Sequence, residues 1–537
     1  MENYNEKRQS LLESIREKIG KPVSVHVVEA TIESFGIREN DTMEDYGFAS
    51  IPDLAQFIFS AIYNSADSTT LKNEKEKEQE ILEPIRHKFS DYIFEKAKIF
   101  SQYYTLGLFH LLPVFIQIAT IIVFGFSLWT FVGFNEIQST AVVLGVIVGL
   151  ISTGGFIQVI GKQASFYWNH HDYLRVRRTI NYLLKIGVGS IFTVLLLIFT
   201  VNLFFHLYPY ELLFVVFAYA FLIGILVLVI APFHTIKQRW AITISVALGT
   251  LTAGILKEYT TLSIYFVHWL GIAVAILFAK TILTLYLRKY VKQVKSNSGD
   301  SIAIPVFIYH NYQYFIYGFL MYFFIFIDRI FAWSAGVGPS QPFMVYFEKN
   351  YELGMDLAIM VYLLLAGVLE YGIASFTRFM DIGQKVISAS TPEMYSNHIR
   401  KMYWQQVVLL FITGFLAFFG VFELIHASWG FQAKFHHELG GLSFKVFLIG
   451  GVSYLILAWG ILNTLYLFTL GQIKKPLKAL IYACSMNLLV GFVLSRLISY
   501  ECSVFGLLAG SILFQLITMK DTFKYIKNLD YHYYAAY

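Results

Sequence analysis

The sequence is poor in charge and in cysteine. Only 14% of its 537 residues are Asp, Glu, Lys or Arg, whereas 56% are hydrophobic. A soluble domain of this size needs far more charge to cover its surface, so the composition predicts a chain whose solvent is lipid. The only two cysteines, Cys484 and Cys502, lie in or beside apolar segments. Two cysteines cannot build a disulfide framework or a metal cluster.

Motifs for soluble chemistry are lacking as well. The segment closest to a nucleotide-binding loop, 155–163, is one residue too long and carries Gln163 where a Ser or Thr is required. The pairs His170-His171 and His436-His437 lie in loops, where a polar interfacial role is commoner than a metal site. We therefore expect no enzyme, no catalytic residue, no cofactor and no metal. The pI near 8.7 reflects membrane orientation and not a nucleic-acid partner.

Twelve apolar runs follow a polar first hundred residues. Most are near the roughly 20 residues that a helix needs to cross the hydrocarbon core of a bilayer. Backbone groups in lipid must be satisfied within their own segment, so the runs are predicted to be helices. The fifth, eleventh and twelfth are the shortest. Their approximate bounds are 106–131, 141–160, 183–205, 212–232, 241–256, 262–287, 314–333, 357–376, 407–425, 446–470, 480–497 and 504–518.

Basic residues alternate between the connecting segments. One set of connections, together with the tail, carries 20 Lys and Arg residues, whereas the other set carries only Lys257, Lys349, Lys434 and Lys445. A missed helix would spoil this alternation. Because basic loops stay in the cytoplasm, the pattern predicts a multi-pass protein of the cytoplasmic membrane with both termini inside.

The polar break at 296–301 leaves six spans on each side. An even number of spans per half means that both halves enter the membrane from the same side, which predicts parallel repeats with a pathway between two six-helix bundles. The predicted divisions are an acidic, mostly helical N-terminal cytoplasmic domain, a first bundle, a linker, a second bundle and a cytoplasmic tail. Their bounds are 1–103, 104–295, 296–313, 314–520 and 521–537.

Charged residues inside the predicted spans are candidates for the transport pathway, because charge at bilayer depth has to face the protein interior or a wet cavity. Asp328 and Arg329 are adjacent in the seventh span. Neighbours on a helix diverge by about 100°, so each needs a partner on another helix. Two interpretations of these residues remain open: they form a structural ion pair between helices, or they line the pathway.

Four further polar groups fall within the spans. Glu370 precedes Arg378 by two turns on a similar face, and it could bind a proton, a sodium ion or a cationic sugar, or be structural. Lys280 lies near enough to a basic end to reach the interface. Asn463 and Asn487 could bond a sugar or join helices.

Two stretches of the second half resemble a known superfamily. The segment from Gly471 to Pro476 has the pattern G-x-x-K-x-P and leads into the helix that carries Asn487. It is similar to the late helices of the multidrug/oligosaccharidyl-lipid/polysaccharide (MOP) flippases. The stretch from Asp328 through Arg329 to Trp333 resembles the seventh-helix D-[KR]-x-x-x-W pattern of the Pel exopolysaccharide transporters, as does the region that ends at Arg378.

The resemblance implies an all-α polytopic membrane protein with a MATE/MOP-like fold and about twelve transmembrane helices. It also implies export of exopolysaccharide, as in biofilm formation, or of a lipid-linked sugar by a flippase without ATPase activity. The implied partners are membrane lipids, the sugar substrate, a cytoplasmic glycosyltransferase and other membrane proteins of an export complex. The alternative is a small-molecule antiporter of the same fold coupled to H⁺ or Na⁺, with Asp328 or Glu370 as the coupling carboxylate.

Overall fold

The structure is a computed structural model that describes residues 2–20, 22, 24–67, 89–109, 111–293, 304–336, 342–386, 392–427, 430 and 439–527. In these residues the regular structure is helical, apart from one antiparallel bridge between Phe126 and Phe131. The prediction of an all-α polytopic membrane protein is confirmed.

Four short helices form the head of the chain. They are α1 (Glu2–Ile19), α2 (Val25–Ser34), α3 (Glu39–Tyr46) and α4 (Ile51–Asp67). Apolar side chains at helical spacing meet in a small core, with Ile15, Val28 and Ile58 fully buried. The predicted boundary at residue 103 falls within the next helix, and residues 296–303 lie outside the described residues, so the predicted divisions stay predictions.

Within the described residues, eleven helical stretches are long and apolar enough to cross a membrane, and a bent pair of helices adds a twelfth. The bent pair is Phe100–Phe109 and Leu112–Phe124, whose axes differ by 52°. One of the eleven stretches, Lys349–Met380, contains two consecutive helices. The count confirms the prediction of about twelve spans. The helices are α5 (Phe89–Phe109), α6 (Leu112–Phe124), α7 (Glu136–Asn169), α8 (Tyr173–Phe205), α9 (Tyr210–Thr235), α10 (Trp240–Tyr259), α11 (Ile264–Gln293), α12 (Ile304–Ser334), α13 (Lys349–Leu364), α14 (Ala366–Val386), α15 (Pro392–His426), α16 (Gly441–Thr469), α17 (Lys474–Leu497) and α18 (Val504–Lys527).

Local sequence signals start several of these helices. Before α7, the Asn135 side chain accepts a hydrogen bond from the Gln138 backbone N–H (2.8 Å), and the Gln138 side chain accepts one from the Asn135 backbone (3.0 Å). Before α8, Asp172 accepts a hydrogen bond from the Arg175 backbone (3.0 Å). These caps satisfy N–H groups that the first turn leaves free. The end where α7 gives way to α8 is named the basic end, and the opposite end, between α8 and α9, the bare end.

The packing of the first six spans recurs in the last six. In the first bundle α7 packs on α9, α9 on α11, and α10 on α11. In the second bundle the corresponding helices pair in the same way: α13 and α14 on α16, α16 on α18, and α17 on α18. The arrangement therefore repeats after six spans, as the even number of spans per half predicts.

Glycines bring the two bundles into direct contact. A Cβ atom at Gly318 of α12 would lie 2.4 Å from the carbonyl oxygen of Gly154 in α7. On the other side of the interface, a Cβ atom at Gly107 of α5 would lie 2.5 Å from the Cα atom of Gly367 in α14. Small residues let helix backbones approach this closely in a membrane. The first and second spans thus meet the eighth and seventh, and this interface is named the seam.

Candidate functional site at a buried charge cluster

Arg329 lies inside the second bundle and holds two carboxylates of a neighbouring helix. Its guanidinium donates to Glu352 and, at 3.1 Å, to Asp356, both on α13. The side chains of Arg329 and Glu352 are 4% and 5% exposed, so this ion pair is out of contact with solvent. The partner of Arg329 is on another helix, as the divergence of neighbouring residues requires.

Asp328 of α12 contacts a different residue of α13. It is fully buried, and the Tyr351 hydroxyl donates a hydrogen bond to one of its oxygens at 2.7 Å. The adjacent pair Asp328 and Arg329 on α12 thus meets the adjacent pair Tyr351 and Glu352 on α13. With Asp356, these residues make a cluster of three carboxylates around one guanidinium.

The cluster contains polar atoms that the described residues do not satisfy. One oxygen of Asp328 and one of Glu352 are buried without a hydrogen-bond partner among the described side chains and backbone. The Nε of Arg329 and the hydroxyls of Tyr454 on α16 and of Ser503 are also buried without a hydrogen-bond partner among these residues. Buried carboxylate oxygens without partners are costly, so the cluster favours the binding of a positive charge.

Asp356 gives the cluster access to solvent. Its side chain is 62% exposed, although it lies seven residues inside α13 and touches the buried Arg329. A carboxylate at this depth faces water or protein and not lipid. Asp356 therefore lies on a wet face of the second bundle, in contact with the buried Arg329.

Sequence reasoning missed Glu352 and Asp356. The predicted eighth span began at residue 357, but α13 begins at Lys349, so both carboxylates are in the helix and not in the preceding loop. Their spacing of four residues, which puts them on one helix face, was the signal that could have placed them.

Trp333 connects the cluster to the bare end of the seam. It is fully buried one turn beyond Arg329, and its ring centroid is 5.3 Å from that of Phe347. Its backbone carbonyl accepts a hydrogen bond from the Tyr346 N–H (3.1 Å). The Tyr346 hydroxyl in turn donates to Glu136 of the first bundle (3.0 Å). A short chain of contacts thus runs from the charge cluster to the opposite bundle.

Two more hydrogen bonds close the bare end. The Phe347 N–H donates to the Thr140 hydroxyl (3.0 Å), and the Tyr208 hydroxyl donates to the carbonyl of Val345 (2.8 Å). Burial raises the pKa of Tyr208 to about 12, so its hydroxyl keeps its proton and remains a donor.

The basic half of the seam is closed by an ion pair between the bundles. Arg239, at the start of α10, donates to Glu370 of α14 at 2.5 Å and to the carbonyl of Leu106 at 2.7 Å. On the α7–α12 side of the seam, the Gln163 side chain donates to Asn311 of α12 (2.8 Å). Glu370 is therefore a contact across the seam.

The remaining predicted residues lie elsewhere. Asn463 accepts a hydrogen bond from Tyr403 (2.8 Å) and donates to Thr518 (3.2 Å), and Asn487 donates to the carbonyl of Phe324 (3.1 Å). These bonds join helices within the second bundle. The other two are Lys280, which is half-buried on α11, and Arg378, which is exposed on α14. The described residues hold no group of three or more His, Cys, Asp or Glu side chains placed to bind a metal.

Comparisons with known proteins identify the fold. No model of a protein family matches the sequence, and no curated protein is significantly similar to it. Solved MATE transporters have the same architecture. A mutant MATE transporter from Vibrio cholerae is 13% identical, with 82% of this chain and 99% of that chain covered and a TM-score of 0.56.

Two other MATE structures agree. An outward-facing multidrug resistance MATE transporter of the MOP superfamily is 13% identical, with 80% and 96% of the chains covered and a TM-score of 0.53. A point mutant of a MATE transporter is 14% identical, with 80% and 97% covered and a TM-score of 0.53. The chain has the MATE fold, which confirms the predicted MATE/MOP-like architecture. The closer assignment to the Pel transporters stays a prediction.

Proposed function

We propose that the chain is a membrane transporter that couples movement of a substrate through the seam to the binding of a proton or a monovalent cation at the charge cluster. The observation that carries this proposal is the cluster itself. Asp328, Glu352 and Asp356 lie around a single guanidinium, so full ionisation leaves an excess of negative charge where Asp328 and Glu352 are buried. The excess is two negative charges, and one bound cation or proton reduces it to one.

The contacts of Trp333 supply the coupling to movement. A change in the position of α12 against α13 moves the carbonyl that bonds Tyr346, and Tyr346 bonds Glu136 across the seam. A cation that binds the cluster more tightly in one arrangement of the bundles shifts the population toward that arrangement.

The closed seam favours transport of one substrate unit at a time. Hydrogen bonds join the bundles at the bare end, the pair Arg239–Glu370 joins them in the basic half, and Gly154 and Gly318 touch between. This geometry suits alternating access between two like bundles. It does not suit a standing conduit for a growing polymer.

Two substrate classes remain for such a transporter. The MATE fold and the cation-binding character of the cluster support an ion-coupled small-molecule antiporter, and we place it first. A lipid-linked sugar, flipped unit by unit, is supported by the resemblance of Asp328, Arg329 and Trp333 to the Pel pattern. For that substrate we propose a cytoplasmic glycosyltransferase as partner, the cytoplasmic membrane as location, and no enzymatic activity of the chain itself.

Neutralising the cluster tests the coupling and the substrate together. We expect Glu352→Gln and Asp356→Asn to abolish ion-driven efflux of a cationic dye such as ethidium from cells that produce the full-length chain. Glu423→Gln removes an exposed carboxylate from the same end of the second bundle and serves as the matched control. Unchanged dye efflux together with unchanged surface polysaccharide in both cluster variants contradicts the coupling. Loss of surface polysaccharide with dye efflux intact in all variants assigns the sugar substrate instead.

A further inference from the structure

Four aromatic rings meet at the basic end of the first bundle. Trp168 ends α7, Tyr173 begins α8, and Tyr286 and Tyr290 lie in the last turns of α11. The ring centroid of Tyr290 is 5.1 Å from those of Trp168 and Tyr173 and 5.0 Å from that of Tyr286. All four side chains are half-buried.

The exposed face of α11 changes from apolar to basic beside these rings. Leu285 is 60% exposed, as expected of a side chain in contact with lipid, whereas Arg288, Lys289 and Lys292 are exposed one to two turns further on. The boundary between acyl chains and headgroups therefore crosses α11 between Leu285 and Arg288. Tyr and Trp collect at this depth because their rings are apolar and their N–H and O–H groups are polar.

The three cations have no acidic partner in the part of the chain that the structure describes. No carboxylate of that part lies within 4.0 Å of Arg288, Lys289 or Lys292. The nearest acid in sequence to the ring cluster, Asp172, already caps α8 and pairs with Arg175 at 3.3 Å. The positive charge is thus available to an external anion.

We propose that these rings and cations, named the aromatic–basic patch, bind the phosphate headgroup of an anionic phospholipid in the leaflet at the basic end. The phenol oxygens of Tyr286 and Tyr290 are 3.3 Å apart, so one hydroxyl donates to the other and the second proton is free to donate to the phosphate. Lys289, three residues after Tyr286, lies on the neighbouring face of α11. Leu285 and Phe166, 60% and 53% exposed, lie where acyl chains continue from such a headgroup. This apolar flank favours a lipid over free phosphate. The inference is independent of the charge cluster and of the transported substrate.

Lipid binding to the full-length purified chain tests the proposal. The triple variant R288Q/K289Q/K292Q changes only exposed side chains, and K474Q/K475Q/K478Q removes the same charge from the start of α17 as a matched control. Each cation near a membrane surface contributes about fivefold to anionic lipid binding, so three contribute roughly 100-fold. We expect native mass spectrometry to show a loss of this size in phosphatidylglycerol affinity for the patch variant and a much smaller one for the control. Phosphatidylcholine binding stays unchanged.

Three outcomes overturn the proposal. Equal losses in the two triple variants show charge attraction without a site. Equal retention of phosphatidylglycerol and phosphatidylcholine by the native chain shows no headgroup preference. Displacement of phosphatidylglycerol by millimolar inorganic phosphate or glycerol phosphate shows a site for a soluble anion. The double variant Y286F/Y290F retains both rings and removes both hydroxyls, and we expect it to weaken phosphatidylglycerol binding several-fold while the thermal midpoint of the protein is unchanged.

Discussion

Arg329 is the cation that pairs with the buried carboxylate of Glu352 inside the second bundle. Arg329→Gln leaves Glu352 buried without its ion-pair partner, and breaking a buried pair in this way costs about 3–5 kcal/mol. We expect the purified variant to show a lower thermal unfolding midpoint than the native chain. The double variant Arg329→Gln/Glu352→Gln removes both charges, so it should recover most of the loss. A double variant as unstable as the single one would show that the pair does not stabilise the bundle.

Residue by residue, the sequence predicted the charge cluster only in part. Asp328 and Arg329 stand out because apolar residues surround them in a predicted span. Glu352 and Asp356 do not, because charged residues in the first turns of a long helix lower the local hydropathy and look like a loop. The identity of the partners depends on how α12 packs on α13, which is a tertiary feature.

Among the helices, the crossing of α7 and α12 has a matched pair of glycines for a test. A Cβ atom at Gly154 would lie 2.4 Å from the Tyr322 ring and 2.8 Å from the carbonyl of Gly318, whereas one at Gly161, seven residues on in α7, would have no neighbour within 4 Å. Gly154→Val is therefore expected to destabilise the protein by about 3 kcal/mol or more and to abolish transport. Gly161→Val should leave the melting temperature and transport near native values. Equal effects of the two substitutions would mean that the seam does not depend on this crossing.

Hydropathy located all the spans but not their ends. The predicted second, third and ninth spans had about 20 residues, but α7, α8 and α15 have 34, 33 and 35. A helix continues past the lipid wherever caps and packing satisfy its polar turns, and hydropathy does not report those turns. The bend of the first span was also missed. It lies between α5 and α6, where Pro113 begins the second piece and cannot continue the hydrogen bonding of the first.

In the whole molecule, the number of spans per half predicted the repeat, but it did not predict the closures. Which helices face each other across the seam depends on contacts between residues more than 100 positions apart, such as Arg239 with Glu370 and Tyr346 with Glu136. Arg, Glu and Tyr residues are also common in loops and at membrane interfaces, so the sequence does not mark these pairs. Sequence patterns therefore left ion binding and a structural role open for Glu370, and the structure shows this residue in contact with Arg239 across the seam.

Because the seam is closed at both ends, substitutions that weaken one end or the other are expected to have opposite effects on the labelling rate of a cysteine in the seam. A cysteine introduced as Gln163→Cys reports on the basic half of the seam. Labelling of the native cysteines is low because Cys484 and Cys502 are both buried. In the Gln163→Cys variant, Arg239→Gln removes an ion pair that contributes about 1 kcal/mol. It should therefore raise the rate of labelling by an impermeant maleimide about fivefold. Glu136→Gln weakens the bare end and should lower that rate, because opening the bare end competes with opening the basic end.

The exchange variant Arg239→Glu/Glu370→Arg separates an effect on closure from general damage. It keeps one charge of each sign across the seam, so labelling of the Gln163→Cys chain should return toward its reference rate even though both side chains have changed. The carbonyl of Leu106 loses its donor in this variant, and the recovery is therefore expected to be incomplete. If Arg239→Gln and Glu136→Gln changed the rate in the same direction, the two ends would open together. The bundles would then form a pore and not an alternating-access transporter.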